Sequence, residues 1–244
     1  MNVEEHVELL SGVDIFEELS KDEIRQVLDD LLSRNVEINL SAGEVFYTPR
    51  EPDGKLFVLE RGKVRLYKME GSKEFTLEVV NAGTVFGEVA FTPHPLRDAY
   101  AQAMEPSILL AMAREDVERL IQDKPLVGLR MISLLSERLR YYETRLEDVT
   151  LKGVPARLAS LILFLVESEG VQVPGEISIP TRYSHEHLGT MVGANREAVT
   201  RAFGRLQDEG AVQVRRRLIY VEDLEALERA AGRLLEEGTE SPSS

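Results

Sequence analysis

The spacing of apolar residues changes twice along the chain. Over residues 9–33, Ile15, Phe16, Leu19, Ile24, Val27, Leu28, Leu31 and Leu32 recur at helical intervals, which predicts a helical stretch. Ser20 followed by Glu23 has the spacing of a capping box. After Asn35 the runs become short and alternating: VEINL, EVFYT, KLFVLE, KVRLYKM and FTLEVV, ended by SAGE, PDGK, RGK, EGSK and NAGT. Short strands separated by glycine turns predict a β-sandwich or barrel, continuing to about Ala113.

From Arg114 the helical period returns. Ile132, Leu135, Leu139, Tyr142, Leu146 and Val149 follow one another at steps of three and four, the seam of two helices packed side by side. Glu137, Arg138, Arg140, Glu143, Arg145, Glu147 and Asp148 flank it, so the seam is expected to join a homodimer. A helix packed on its own domain is the plainer alternative. Lys152-Gly153-Val154-Pro155 then stops one helix and starts another, which places a hinge at Gly153. A helix over Ala156–Glu167 and a loop through Gly170 and Pro174-Gly175 follow. The expected divisions are 1–123, a strand-rich domain with flanking helices; 124–152, a dimerisation helix and hinge; 153–236, a second domain; and 237–244, a disordered tail.

The segment SHEHLGTMVGANREAVTRAFGRLQDEG, Ser184 to Gly210, carries the chemistry. On a helix starting after Asn195, Ala198, Val199, Ala202, Phe203 and Leu206 fall within an arc of roughly 140°. Arg196, Glu197, Thr200, Arg201, Gly204 and Arg205 fill the other side. His185 to Val192 reads as a shorter helix with Leu188, Met191 and Val192 inward, and Gly193-Ala194-Asn195 joins the two, a helix-turn-helix. Gly189 sits where the two should cross. The second helix of such a unit enters the DNA major groove, where arginine pairs with guanine and glutamate with cytosine. Further on, Ala211–Val214 and Leu218–Val221 flank Arg215, Arg216 and Arg217, a hairpin with a basic tip placed as a wing would be against phosphates. Arg182 is a further candidate phosphate contact.

Charge sharpens this picture. The 244-residue chain has a formal net charge of −14, which argues against indiscriminate coating of nucleic acid. Between Arg182 and Arg217, however, seven arginines face four acids, a local net of +3. Cysteine is absent, which excludes thiol catalysis and cysteine-ligated metal clusters. There is no GxxxxGK loop, no metal-ligand spacing and no nucleophile beside a base, so no enzyme is expected. His94 stands alone between prolines and is not expected to hold a metal. No apolar run reaches the ~18 residues of a membrane span, and the acidic MNVEEHVELL lacks the plan of a signal peptide. The expected location is the cytoplasm.

Over nearly its whole length the chain resembles the CRP/FNR family of bacterial transcription regulators. VGANREAVTRAFGRLQDEG resembles that family's recognition segment. The resemblance implies an α+β chain: an N-terminal double-stranded β-roll, a long dimerisation helix and a C-terminal winged helix-turn-helix. It implies a palindromic site with TGTGA-like arms, read by Arg196, Glu197 and Arg201. Thr200 would touch phosphate, with Arg205, Arg182 and Arg215 to Arg217 around it. RNA polymerase is an implied partner.

FGEVAFTPHPLRDAYAQA, Phe86 to Ala103, resembles the family's phosphate-binding cassette. In cAMP-binding members the glutamate holds the ribose, and an arginine followed by serine or threonine holds the cyclic phosphate. Gly87, Glu88 and Arg97 match, but Asp98 stands at the hydroxyl position, where a carboxylate repels a bound phosphate. Tyr142 and Glu143 stand at the adenine-reading positions. cAMP is therefore doubtful and no cofactor is certain. Three readings stay open: another small molecule held by Glu88 and Arg97; an empty pocket with Arg97 paired to Glu88 or Asp98; or a cyclic nucleotide after all. From another functional class, the rival is a small-molecule sensor that acts through protein contacts.

Overall fold

The computed structural model describes residues 3–32, 37–50, 54–92 and 98–233. The expected disordered tail at 237–244 lies outside the described residues. The chain forms two compact units, Met1–Arg140 and Tyr141–Ser244.

In the first unit, α1 (Val3–Leu10), a 3-10 turn (Asp14–Phe16) and α2 (Lys21–Leu32) precede the strands. The single helical stretch expected over 9–33 is thus broken. The break falls at Gly12, and the chain restarts at Ser20, where a capping box forms. The Ser20 backbone N–H donates to Glu23 Oε2 at 2.8 Å, and the Glu23 N–H donates to Ser20 Oγ at 3.3 Å. Lys124 and Ser20 together hold the Glu23 carboxyl down at about 2.

Among the described residues eight strands follow: β1 (Glu37–Leu40), β2 (Val45–Tyr47), β3 (Lys55–Arg61), β4 (Lys63–Glu70), β5 (Lys73–Asn81), β6 (Thr84–Phe86), β7 (Tyr100–Ala103) and β8 (Ser107–Ala113). They make two four-stranded antiparallel sheets, in the orders β1-β8-β3-β6 and β2-β7-β4-β5. β3 explains why one sheet holds the unit together. Phe57 and Leu59 point into the core between the sheets, with Val64, Leu66, Phe86 and Leu109. Leu56 and Val58 point the other way, into a second core with Leu10, Phe16, Ile24, Leu28, Val117 and Val127. A strand covered on both faces is an unbroken apolar run, as KLFVL is. The RGK turn between β3 and β4 requires glycine at 62: φ is +89°, and a Cβ there would lie 2.2 Å from Ser107 Oγ.

α3 (Arg114–Asp123) leads to the 27-residue α4 (Pro125–Leu151). The second unit then holds α5 (Val154–Glu169), β9 (Val171–Val173), β10 (Glu176–Ile179), α6 (His185–Val192), α7 (Arg196–Asp208), β11 (Val212–Arg215), β12 (Leu218–Val221) and α8 (Leu224–Ala230). The segment expected as a loop through Gly170 and Pro174-Gly175 is a hairpin. β9 and β10 join the wing strands in one antiparallel sheet, β11-β12-β10-β9. Strands of three and four residues are too short to signal by period. They persist because β12 supplies the second partner for β10. Among the described residues no helix is long and apolar enough to cross a membrane.

Candidate nucleic-acid interface

The helix-turn-helix is built from local rules. Ser184 Oγ caps α6 by accepting from the His187 N–H, 3.1 Å, and Asn195 Oδ1 caps α7 by accepting from the Ala198 N–H, 2.8 Å. Between them Gly193 turns left-handed, with φ 63°. The Ala194 N–H donates back to Gly189 O at 2.9 Å, so the turn folds tightly over α6. A Cβ on Gly189 would stand 2.6 Å from Ala194 O. Gly189→Ala is therefore expected to lose roughly 1–3 kcal/mol of stability and specific DNA binding with it. Gly204→Ala on α7 meets nothing within 4 Å and should gain up to about 1 kcal/mol. Urea unfolding of the two variants distinguishes them.

α7 divides as its wheel requires. Val199, Ala202, Phe203 and Leu206 are buried. Arg196, Glu197, Thr200, Arg201 and Arg205 are all exposed. The guanidinium groups of Arg196, Arg201 and Arg205 enter no ion pair among the described residues. One member of this surface was not legible in the sequence. The His185 ring lies flat on Phe203, centroids 5.0 Å apart at 8°, with Nδ1 2.8 Å from Thr200 Oγ1. Burial, then the charge of Arg196, lowers the His185 pKa below its ordinary 6.5. The partners lie fifteen and eighteen residues away, and no periodicity pairs them.

At the wing, the Arg215↔Leu218 pair closes β11 and β12, leaving Arg216 and Arg217 as a two-residue turn with φ of 52° and 66°. Both values belong to a type I′ turn, which normally takes Asn-Gly. Arg216, Arg217 and Arg182 are exposed. Arg215 departs from the expected phosphate set: it pairs with Glu176 on β10 and lies over the Tyr220 ring, 4.1 Å from its centroid. The pair ties β11 to β10, while half of the Arg215 side chain stays exposed.

Several of the charges that flank the seam are held within the fold. Arg138 and Asp148 are buried. Asp148 accepts from Lys152 Nζ at 2.7 Å, and the same ammonium reaches Ser160 Oγ on α5 at 3.1 Å. The Lys152 side chain thus spans the break at Gly153, which serves as the extended N-cap of α5 (φ −71°, ψ 164°). Arg145 donates to Met191 O at the end of α6 and to Tyr141 Oη, the latter at 2.8 Å, a cation at the negative end of a helix. Within the second unit, the last turns of α4 are therefore pinned to α5 and α6.

The expected seam is open. Ile132 is 60% exposed, Leu139 59% and Leu146 66%, with Leu135 and Val149 exposed beside them. Tyr142 is half-buried against Tyr141, ring centroids 5.6 Å apart. Leu126 and Leu129, also exposed, extend the stripe towards the start of α4. Their steps of three were present in the sequence and escaped the seam.

In the β-roll, Gly87 is buried with φ 92° and Glu88 opens a 3-10 turn, Glu88–Phe91. Glu88 pairs with Arg138 Nη1 at 3.0 Å. Asp98 pairs with Lys68 at 3.2 Å. Arg97 and His94 lie outside the described residues. Glu143 is exposed. Among the described residues no cluster of His, Asp or Glu could hold a metal ion.

Comparison with known proteins bears on both units. The model of the cyclic nucleotide-binding domain matches residues 37–124, and that of the Crp-like helix-turn-helix domain matches residues 156–230. The chain is 32% identical over 177 residues to the cyclic AMP receptor protein of Thermus thermophilus, covering 72% of this chain and 79% of that one. It is 26% identical over 196 residues to the CRP-like cAMP-activated global transcriptional regulator of Mycobacterium tuberculosis, covering 80% and 87%. Among solved structures, a mutant of CooA from Carboxydothermus hydrogenoformans superposes with a TM-score of 0.71 at 25% identity, covering 80% and 87%.

Proposed function

This chain belongs to the CRP/FNR family of transcription regulators, DNA-binding proteins rather than enzymes; on that premise we propose that it acts as a homodimer on a palindromic site with TGTGA-like arms. The observation that carries this reading is the exposed face of α7, whose three guanidinium groups enter no ion pair among the described residues. An arginine held by its own fold would have to exchange that partner for a base. These need only shed water. Arg196 and Arg201 are assigned to guanine and Glu197 to cytosine. Arg205, Arg182, Arg216 and Arg217 are assigned to phosphates.

Thr200 fits a phosphate only after a rearrangement. Its single hydroxyl proton goes to Arg196 O at 2.9 Å or, in the tautomer that leaves Nδ1 bare, to His185 Nδ1 at 2.8 Å. In either case the hydroxyl must turn from that acceptor to donate to DNA. Symmetry through the α4 stripe would set the two recognition helices one duplex turn apart, about 34 Å. RNA polymerase is the partner that a regulator of this class addresses, and the cytoplasm is where both meet. Selection from a random duplex pool followed by footprinting tests the reading. Enrichment of a palindrome supports it. No enrichment favours the rival, in which the same surface makes protein contacts.

The wing gives a separable result. Arg216→Asn with Arg217→Gly supplies the residues that the turn prefers, and should raise stability by roughly 1 kcal/mol or more. The same change removes two phosphate charges. Affinity should then fall for all sequences alike, with the salt slope reduced by about 2. A variant that is more stable but unchanged in its salt slope would remove the wing from the interface.

A further inference from the structure

Lys152 and Tyr141 tie the last turns of α4 to α5: the ammonium reaches Ser160 Oγ, and the Tyr141 ring packs on Phe164 with centroids 4.7 Å apart. Arg145 reaches the helix-turn-helix itself. Its Nη2 donates to Met191 O in the last turn of α6, two residues before the left-handed Gly193 that leads to α7. A carbonyl in the last turn of a helix lacks a partner within that helix, and Met191 is buried. The guanidinium supplies a charge-assisted bond there, at the negative end of the helix dipole. The guanidinium is itself held from behind. Tyr141 stands one turn earlier on the same face of α4. Its Oη accepts from Arg145 Nη1 at 2.8 Å, and the Arg145 guanidinium lies 5.5 Å from the centre of its ring. Phe164, Tyr141, Arg145 and Met191 O thus form one line of contact from α5 through α4 to the turn that starts α7.

We propose that Arg145 is a positioning residue for half-site spacing: it fixes α7 against the dimer seam, and so sets how many base pairs may separate the two arms of the site. This rests on the homodimeric DNA-binding reading above. Tyr142, Leu146 and Val149 of the seam lie in the same turns of α4 as Arg145. In a two-fold dimer joined there, any tilt of α6 and α7 about α4 is applied once in each copy, so its effect on the separation of the recognition helices is doubled. One base pair adds about 3.4 Å along the duplex and turns the next half-site by roughly 35°. A tilt that moves each α7 by about half that distance therefore shifts the preferred spacing by one pair. Arg145 touches no base; it governs the distance between the two readers, and the exposed face of α7 governs what each reads.

The test is fluorescence anisotropy of the full chain on the palindrome that the wild type selects, and on two versions with one base pair removed from or added to its centre. The wild type, Arg145→Met and Tyr141→Phe are compared. The wild type should bind both altered spacings about tenfold or more weakly, because the duplex must be deformed to fit. Arg145→Met keeps an apolar stem and loses every donor; it should narrow that preference to about threefold or less. A single base change inside one arm should cost the wild type and this variant the same factor within about twofold. Tyr141→Phe keeps a ring for Phe164 but removes the oxygen that holds Nη1, and should fall between the two. Weakening of Arg145→Met by one common factor on all three duplexes is lost stability alone and overturns the proposal. So does a wild type that accepts all three spacings equally. Should Arg145→Met fail to fold, Tyr141→Phe decides: the full wild-type spacing preference in that variant overturns the proposal. Failure of the DNA-binding reading looks different, since the wild type then selects no palindrome.

Discussion

Replacing Leu139 and Leu146 by aspartate should convert the protein to a monomer and remove specific DNA binding. Both side chains stand more than half exposed on α4, within a stripe that runs from Leu126 to Val149. Covering each leucine with a second α4 is worth roughly 1.5–3 kcal/mol. Two carboxylates in each copy would instead be desolvated opposite one another, which opposes association. The consequence for DNA is larger than the loss of a contact. A dimer binds its second half-site at an effective concentration in the millimolar range, and a monomer forfeits that gain, about 100-fold or more in affinity. Sedimentation and anisotropy on the same variant measure the two effects. A double variant that stays dimeric would show that the stripe is not the interface. One that becomes monomeric and still binds the full palindrome as tightly would show that symmetry is dispensable.

Arg201→Ala should relax base discrimination by roughly 1–3 kcal/mol at one position of each half-site, and Arg196→Ala should do so at another. Neither guanidinium supports the fold, since both are exposed and outside any ion pair among the described residues. Unfolding midpoints should therefore stay within about 0.5 kcal/mol of the wild type. Arg196 has one additional effect: its charge helps depress the His185 pKa, so Arg196→Ala should raise that pKa towards its ordinary value, as NMR titration of the ring would follow. Affinity lost equally on every duplex would reassign both residues to phosphate.

The contrast between Arg201 and Arg138 shows what a sequence can carry. Arg201 lies on the polar arc of a helix whose apolar arc is unambiguous, and its exposure follows from the wheel. The two helices of the DNA-binding unit, their caps at Ser184 and Asn195 and the turn at Gly193 are legible for the same reason. Each depends on residues within a few positions of one another. Strands β1 to β5 were legible as short runs ended by glycine turns, while β6 to β8 were covered only by the expectation that strands continue to about Ala113. The break at Gly12 was not, because apolar spacing continues across it while the helix does not.

The sequence by itself determined the succession of β-roll, long helix and helix-turn-helix, the two faces of α7, the basic turn of the wing and the apolar stripe of α4 from Ile132 to Val149. Only the tertiary structure decided which charges are spent. Arg138 meets Glu78 and Glu88, Arg215 meets Glu176, His185 meets Thr200, and Arg145 reaches Met191 O. Amphipathic period is a local property, fixed by the geometry of one helix or strand. The partner of a charge is set by whichever distant segment packs against it, and that packing is a property of the whole fold.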